Sequence, residues 1–260
     1  MPEPGPVAVI IAKARLAARR AFRAMSVDED PLSRNRVTGW SVNYPIMGTC
    51  RPTRVCAQTC YFAKGPTTWP TAIEKQLRLY RNTAVDPQRV ADRIARSCDH
   101  HRVDFLRWNG GGDLFPQAVL ACNRLALIRP RLPIWVVTRR PELAARLDDL
   151  PNLYVHFSLD RDSLDRRDRF LALRPASTRY FFSYQAEPGE RPDPALMDRL
   201  GVSVLFFDRY RPTDGAPPYG PALCPLNVRP DIADACRRCR RCFDGSAVAE
   251  SRRIDPTPTP

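Results

Sequence analysis

A chain of 260 residues is long enough for one sizeable core with room for a small appendage, and 43% hydrophobic with 27% charged residues excludes wholesale disorder and fibrous repeats. The formal charge of +13 attracts polyanions such as nucleic acid, phosphorylated metabolites or acidic proteins, and says nothing of the fold. The longest apolar run near the amino terminus, residues 7–12, falls far short of the ~20 residues of a membrane span, so no membrane partner and a cytoplasmic location are expected.

In chain order, residues 7–25 form a basic amphipathic pattern expected to be a helix in an extension covering 1–36. The next region, 37–215, alternates strands and helices. Strands are expected at 42–47, 103–108, 134–138, 153–159, 179–184 and 202–207, each a short β-branched or aromatic run. Helices are expected at 71–82, 87–97, 117–128, 142–148, 164–173 and 194–200, and Pro141 opens one of them at a first-turn position that tolerates proline. Six βα units imply a parallel sheet with right-handed crossovers, as a partial (β/α)6 barrel or a doubly wound sheet, with chemistry at the carboxyl ends of the strands. A proline- and glycine-rich stretch at 211–219 marks a boundary near 215. The segment 216–260 then carries four cysteines and ends in a proline–threonine tail expected to be disordered.

Nine cysteines fall into two groups and two singletons, a distribution unlike a secreted disulfide framework. The first group, Cys50, Cys56 and Cys60, has C-x5-C-x3-C spacing in the loop after the first expected strand. Three thiolates leave a fourth position open, which suits a [4Fe–4S] cluster whose unique iron binds an outside ligand. Zinc is the lesser alternative, because its structural sites more often show paired C-x2-C ligands. Tyr61 and Phe62 are placed to shield the site. Cys98 and Cys122 lie in helical stretches as small hydrophobes, and His100 and His101 read as solvated loop residues.

The loop resembles that of radical S-adenosylmethionine (SAM) enzymes, which have a partial (β/α)6 barrel and three cysteines after the first strand, usually spaced C-x3-C-x2-C with an aromatic beside the last, here Tyr61. Gly110, Gly111, Gly112 and Asp113 after the second strand resemble that superfamily's glycine-rich motif, which implies binding of the SAM amino group. Ser158 and Asp160 at the end of the fourth strand resemble its Ser-Leu-Asp, which implies contact with the SAM ribose or carboxylate. As a bare turn, the glycines suit close backbone approach and Asp113 a helix cap, and Asp160 equally suits a cap. Thr138, Arg139 and Gln185 also fall at strand ends and can line the same cavity.

The second group, Cys224 followed by Cys236-x2-Cys239-x2-Cys242, closes a four-ligand shell of ferredoxin-like local spacing, for a second cluster or for zinc. Taken together, the cysteine loop ending in Cys-Tyr, the Gly-Asp turn and the terminal Cys-x2-Cys-x2-Cys resemble the phage gene product 88 family over about residues 40–243. The leading expectation is a radical SAM-like enzyme using SAM, an unknown substrate and a reducing partner such as flavodoxin or ferredoxin. Two alternatives stand beside it. One is a basic nucleic-acid-binding protein presenting Arg237, Arg238, Arg240 and Arg241, and the other is an iron–sulfur redox protein without SAM.

Overall fold

The computed structural model describes residues 13, 16–18, 29–173, 179–207, 224, 226 and 234–242. Residues 13 and 16–18 are helical and Ala17 is buried, while the rest of the expected amino-terminal helix, the boundary near 215 and the tail lie outside the described residues.

The sheet opens with a hairpin that the sequence pattern does not show. Asn35 accepts from Val37 N at 2.7 Å, and Gly39, at φ +78°, turns strand β1 (Ser33–Asn35) into β2 (Gly39–Val42). The strand expected at 42–47 ends at Val42. Pro45, which has no N–H to give a ladder, precedes a helical turn α1 (Ile46–Thr49). Next come α2 (Arg54–Thr59), α3 (Pro70–Val85) and α4 (Pro87–His100). Four βα steps and a last strand complete the order: β3 (Leu106–Trp108), α5 (Pro116–Ile128), β4 (Ile134–Thr138), α6 (Pro141–Ala144), β5 (Leu153–Leu159), α7 (Asp165–Leu173), β6 (Tyr180–Ala186), α8 (Pro194–Arg199) and β7 (Val202–Phe207). Prolines 70, 87, 116, 141 and 194 each start a helix, where the missing N–H costs nothing and φ is already helical. Asp86 and Asp193 cap α4 and α8 by accepting from Arg89 N and Ala195 N, both at 3.0 Å. A short helix α9 (Ala235–Cys239) lies in the carboxyl-terminal segment.

Among the described residues seven strands follow one another in sequence order, with β1 antiparallel to β2 and every later pair parallel. This is an α/β fold. Because the order never reverses, the switch point of a doubly wound sheet does not occur. Alternation divides the strand residues between two faces. Leu106, Trp108, Ile134, Val136, Val155, Phe157, Phe182, Tyr184 and Leu205 join Leu79, Val90, Ile94, Val119, Leu125, Phe170 and Met197 of the helices in one core. The intervening residues form the other face in lateral rows: Arg107, Trp135 and Tyr154; Val137 and His156; Ser158, Ser183 and Val204; Gln185 and Phe206.

Candidate functional site

That second face borders a cavity of about 490 Å³, the size of a small-molecule pocket. Its wall includes Cys50, Cys56 and Cys60 together with Cys224, Cys236, Cys239 and Cys242, so the structure brings the two cysteine groups to one space. They reach it from opposite ends of the strands.

The first group stands at the carboxyl ends, where parallel α/β sheets keep their chemistry. Thr53 Oγ1 caps α2 by accepting from Cys56 N at 3.1 Å and donates to the carboxylate of Asp160. The same carboxylate pairs with Arg139 and accepts from Ser163 Oγ at 2.9 Å. Asp160, fully buried, thus ties the cysteine loop to the ends of β4 and β5, whereas Ser158 borders the cavity directly.

Gly110, Gly111 and Gly112 are packed against this loop. Asn43 Oδ1 accepts from Gly111 N at 3.0 Å, Tyr44 N donates to Gly111 O at 2.9 Å, and Tyr61 Oη donates to Gly110 O. A Cβ on Gly111 would lie 2.2 Å from the Phe62 ring, and one on Gly110 would lie 2.3 Å from Asn43 Oδ1. Gly112 sits at φ +82°, in the left-handed region that favours glycine. The carboxylate of Asp113 accepts from Leu114 N at 2.7 Å, Thr138 Oγ1 at 2.6 Å and Arg139 N at 3.2 Å, while burial pushes its pKa up. The turn is therefore a dock for the cysteine loop as well as part of the cavity wall.

The second group closes the opposite end. Asp234 N and Cys236 N donate to Arg36 O at 3.0 Å and Val37 O at 3.3 Å, in the β1–β2 turn, and Arg237 pairs with Asp104 at 2.6 Å. Cys224 N donates to Leu205 O of β7 at 3.0 Å, so this segment holds both edges of the sheet. Cys236 and Cys242 pack on Phe105 and Trp135. Of the four arginines expected to form a basic surface, Arg237 is engaged with Asp104 and Arg241 is buried.

Burial pushes the thiols toward the protonated form: Cys50 and Cys242 go well up, Cys224 goes to about 12 and Cys236 to about 11. Cys56 rises too, and the Arg139 charge opposes the rise. All nine cysteines are free thiols. Among the described residues, no group of three or more His, Cys, Asp or Glu side chains is arranged to hold a metal ion. A single zinc ion would need sulfurs ~3.8 Å apart, from its 2.3 Å bonds in a tetrahedron. The seven thiols that border the cavity are the residues that could hold a metal ion or cluster.

Residues outside the sequence expectations complete the site. Arg107 Nη2 donates to Tyr61 Oη at 2.6 Å, and its guanidinium lies 5.4 Å from the Tyr61 ring centre and 4.9 Å from that of Trp135. Trp135 Nε1 donates to His156 Nδ1 at 3.1 Å. Asn109, at φ +61°, donates from Nδ2 to Val137 O at 3.0 Å. Inward alternation along β3, β4 and β5 was the available signal for Arg107, Trp135 and His156. His101, expected to be solvated, stacks on Trp40 at 4.1 Å and bonds Asp30 at 2.6 Å.

A comparison with family models matches residues 14–245 to the model described as gene product 88. The chain belongs to the gene product 88 family. The match spans both cysteine groups, the glycine turn and all seven strands of the site. Among curated proteins there is no match, and among solved structures there is none. No helix among the described residues is long and apolar enough to cross a membrane.

Proposed function

We propose that this gene product 88 protein is a radical SAM-like iron–sulfur enzyme with a partial (β/α)6 barrel. In this reading Cys50, Cys56 and Cys60 hold a [4Fe–4S] cluster at the carboxyl ends of the strands. Gly110 to Asp113 and Ser158 border the place of SAM, and Cys224, Cys236, Cys239 and Cys242 hold a second cluster or zinc. The observation that carries the reading is the shared cavity: the three thiols of the first group and the four of the second border one small-molecule space on one face of a sequentially ordered, mostly parallel sheet. When bound and reduced, the first cluster would supply the electron that cleaves SAM reductively.

The chain's own contribution is positioning. Asp160 and Thr53 fix the loop through α2, Tyr61 and Phe62 hold it against the glycine turn, and Arg139 supplies positive charge beside Cys56. A second reading keeps the clusters and drops SAM. It is favoured by the glycine turn, whose backbone already serves the cysteine loop, and by the three donors that already occupy Asp113.

One experiment separates them. The protein is purified anaerobically, its iron, sulfide and zinc are measured, and the reduced form is examined by electron paramagnetic resonance with and without SAM. Sulfide with iron, a SAM-shifted signal and formation of 5′-deoxyadenosine are expected. Clusters without any SAM response would leave the redox reading, and zinc without sulfide would end both.

A further inference from the structure

Two side-chain atoms bordering the cavity are buried without a partner among the described residues, although their residues are almost wholly enclosed. His156 is 1% exposed and Asn109 is 3% exposed, and their Nε2 and Oδ1 atoms have no hydrogen bond. Leaving such groups unpaired costs roughly 1–3 kcal/mol each, a cost that a ligand in the cavity able to pair with them would remove. Arg107 Nε, in the same wall, is likewise unpartnered.

The chemistry of each atom is fixed by its neighbours. His156 Nδ1 accepts the Trp135 indole proton, so the imidazole is neutral and its one proton sits on Nε2. His156 is therefore a donor. Val137 O can only accept, so Asn109 presents Nδ2 to it and leaves Oδ1 as an acceptor. Arg107 is a cation held between two rings, one row nearer the second cysteine group. Asn109 and His156 flank β4, so their backbones stand ~10 Å apart, two strand spacings, with the side chains facing over Val137.

We infer that this donor, acceptor and cation form a binding site for an amide-bearing carboxylate, an N-acylated amino acid or the carboxyl end of a peptide. The carboxylate meets Arg107, the amide N–H meets Asn109 Oδ1 and the acyl oxygen meets His156 Nε2. The site lies between the two cysteine groups, deeper than the glycine turn. That its occupant is the substrate rests on the enzyme reading above, whereas the binding itself does not.

The test uses the anaerobically purified full-length chain and N-acetylglycine as probe, followed by calorimetry without SAM. N-acetylglycinamide lacks the charge and N-acetylsarcosine lacks the N–H, and each is expected to bind at least tenfold more weakly. Acetyl-triglycine binding more tightly than N-acetylglycine would identify a peptide end, and weaker binding would identify the free acid. His156→Phe should reduce N-acetylglycine binding about tenfold, and His156→Gln, which keeps a donor, should restore part of it. Absence of N-acetylglycine binding, or equal binding of all three small probes, overturns the site. If His156→Phe does not fold, the probe series on the parent chain still decides. Probe binding without 5′-deoxyadenosine formation leaves this site standing and removes the SAM reading, and 5′-deoxyadenosine without probe binding does the reverse.

Discussion

At the scale of single residues, the glycine turn makes the sharpest demand. Gly111 has no room for a methyl group because the buried Phe62 ring is 2.2 Å from where its Cβ would stand. Gly111→Ala must push Phe62, and the cysteine loop with it, at an overpacking cost of about 1–3 kcal/mol. Urea denaturation should show that loss, whereas an unchanged midpoint would mean the loop yields freely. In the sequence Gly110 to Asp113 follow the second strand and resemble a cofactor-binding turn, and nothing in their pattern shows that the turn's neighbour is protein. Phe62 and Asn43 reach it from an earlier part of the chain. His156 and Asn109 were legible only as inward positions. Their unpaired atoms depend on Trp135 and Val137, partners on another strand that no one-dimensional pattern names.

At the scale of elements, β4, β5 and β7 are legible to the residue, and β6 nearly so, because buried parallel strands read as β-branched and aromatic runs. The hairpin strand β1 is not, since Ser33, Arg34 and Asn35 are polar and largely exposed and carry no alternation. Helix starts were marked by proline, but α6 stops at Ala144 although the apolar pattern runs on to Leu147. Two elements carry predictions. Thr53 caps α2 and bonds Asp160, so Thr53→Ala should cost about 0.5–2 kcal/mol in denaturant titrations. Asp30 secures the strap before β1 to α4, accepting from Leu32 N and Ser97 Oγ, both at 2.9 Å, and bonding His101. Burial alone would push the Asp30 carboxyl up, but those bonds and the Lys75 charge outweigh it and hold it below the usual carboxylate range. A pKa lowered by folding adds stability above the unfolded value of ~3.9, and that stability is lost as pH falls through the folded value. Asp30→Asn should therefore be less stable than the parent at neutral pH, with the difference closing as pH falls below ~4. A gap that stays constant in urea titrations across that range would contradict the assignment.

At the scale of the whole molecule, a parallel sheet of consecutive strands that does not close has two edges, and such edges are open to pairing with other chains. The carboxyl-terminal cysteine segment answers both at once. It donates one backbone hydrogen bond to β7 from Cys224 N and two to the β1–β2 turn from Asp234 N and Cys236 N, while Cys236 and Cys242 cover Phe105 and Trp135. The second cysteine group is in this sense the fastener of the sheet as well as a wall of the cavity, and whatever orders it also orders the edges. Truncation after residue 223 should thus raise amide hydrogen exchange at Arg36 to Trp40 and at Val202 to Leu205 together, though these segments are more than 160 positions apart in sequence. The helix-packed residues Ile94 and Val119, on the other face, should keep their protection. Exchange that rises at one edge only would mean the segment rests on the sheet without joining its ends, and the cavity would then need no closure from the second group of thiols.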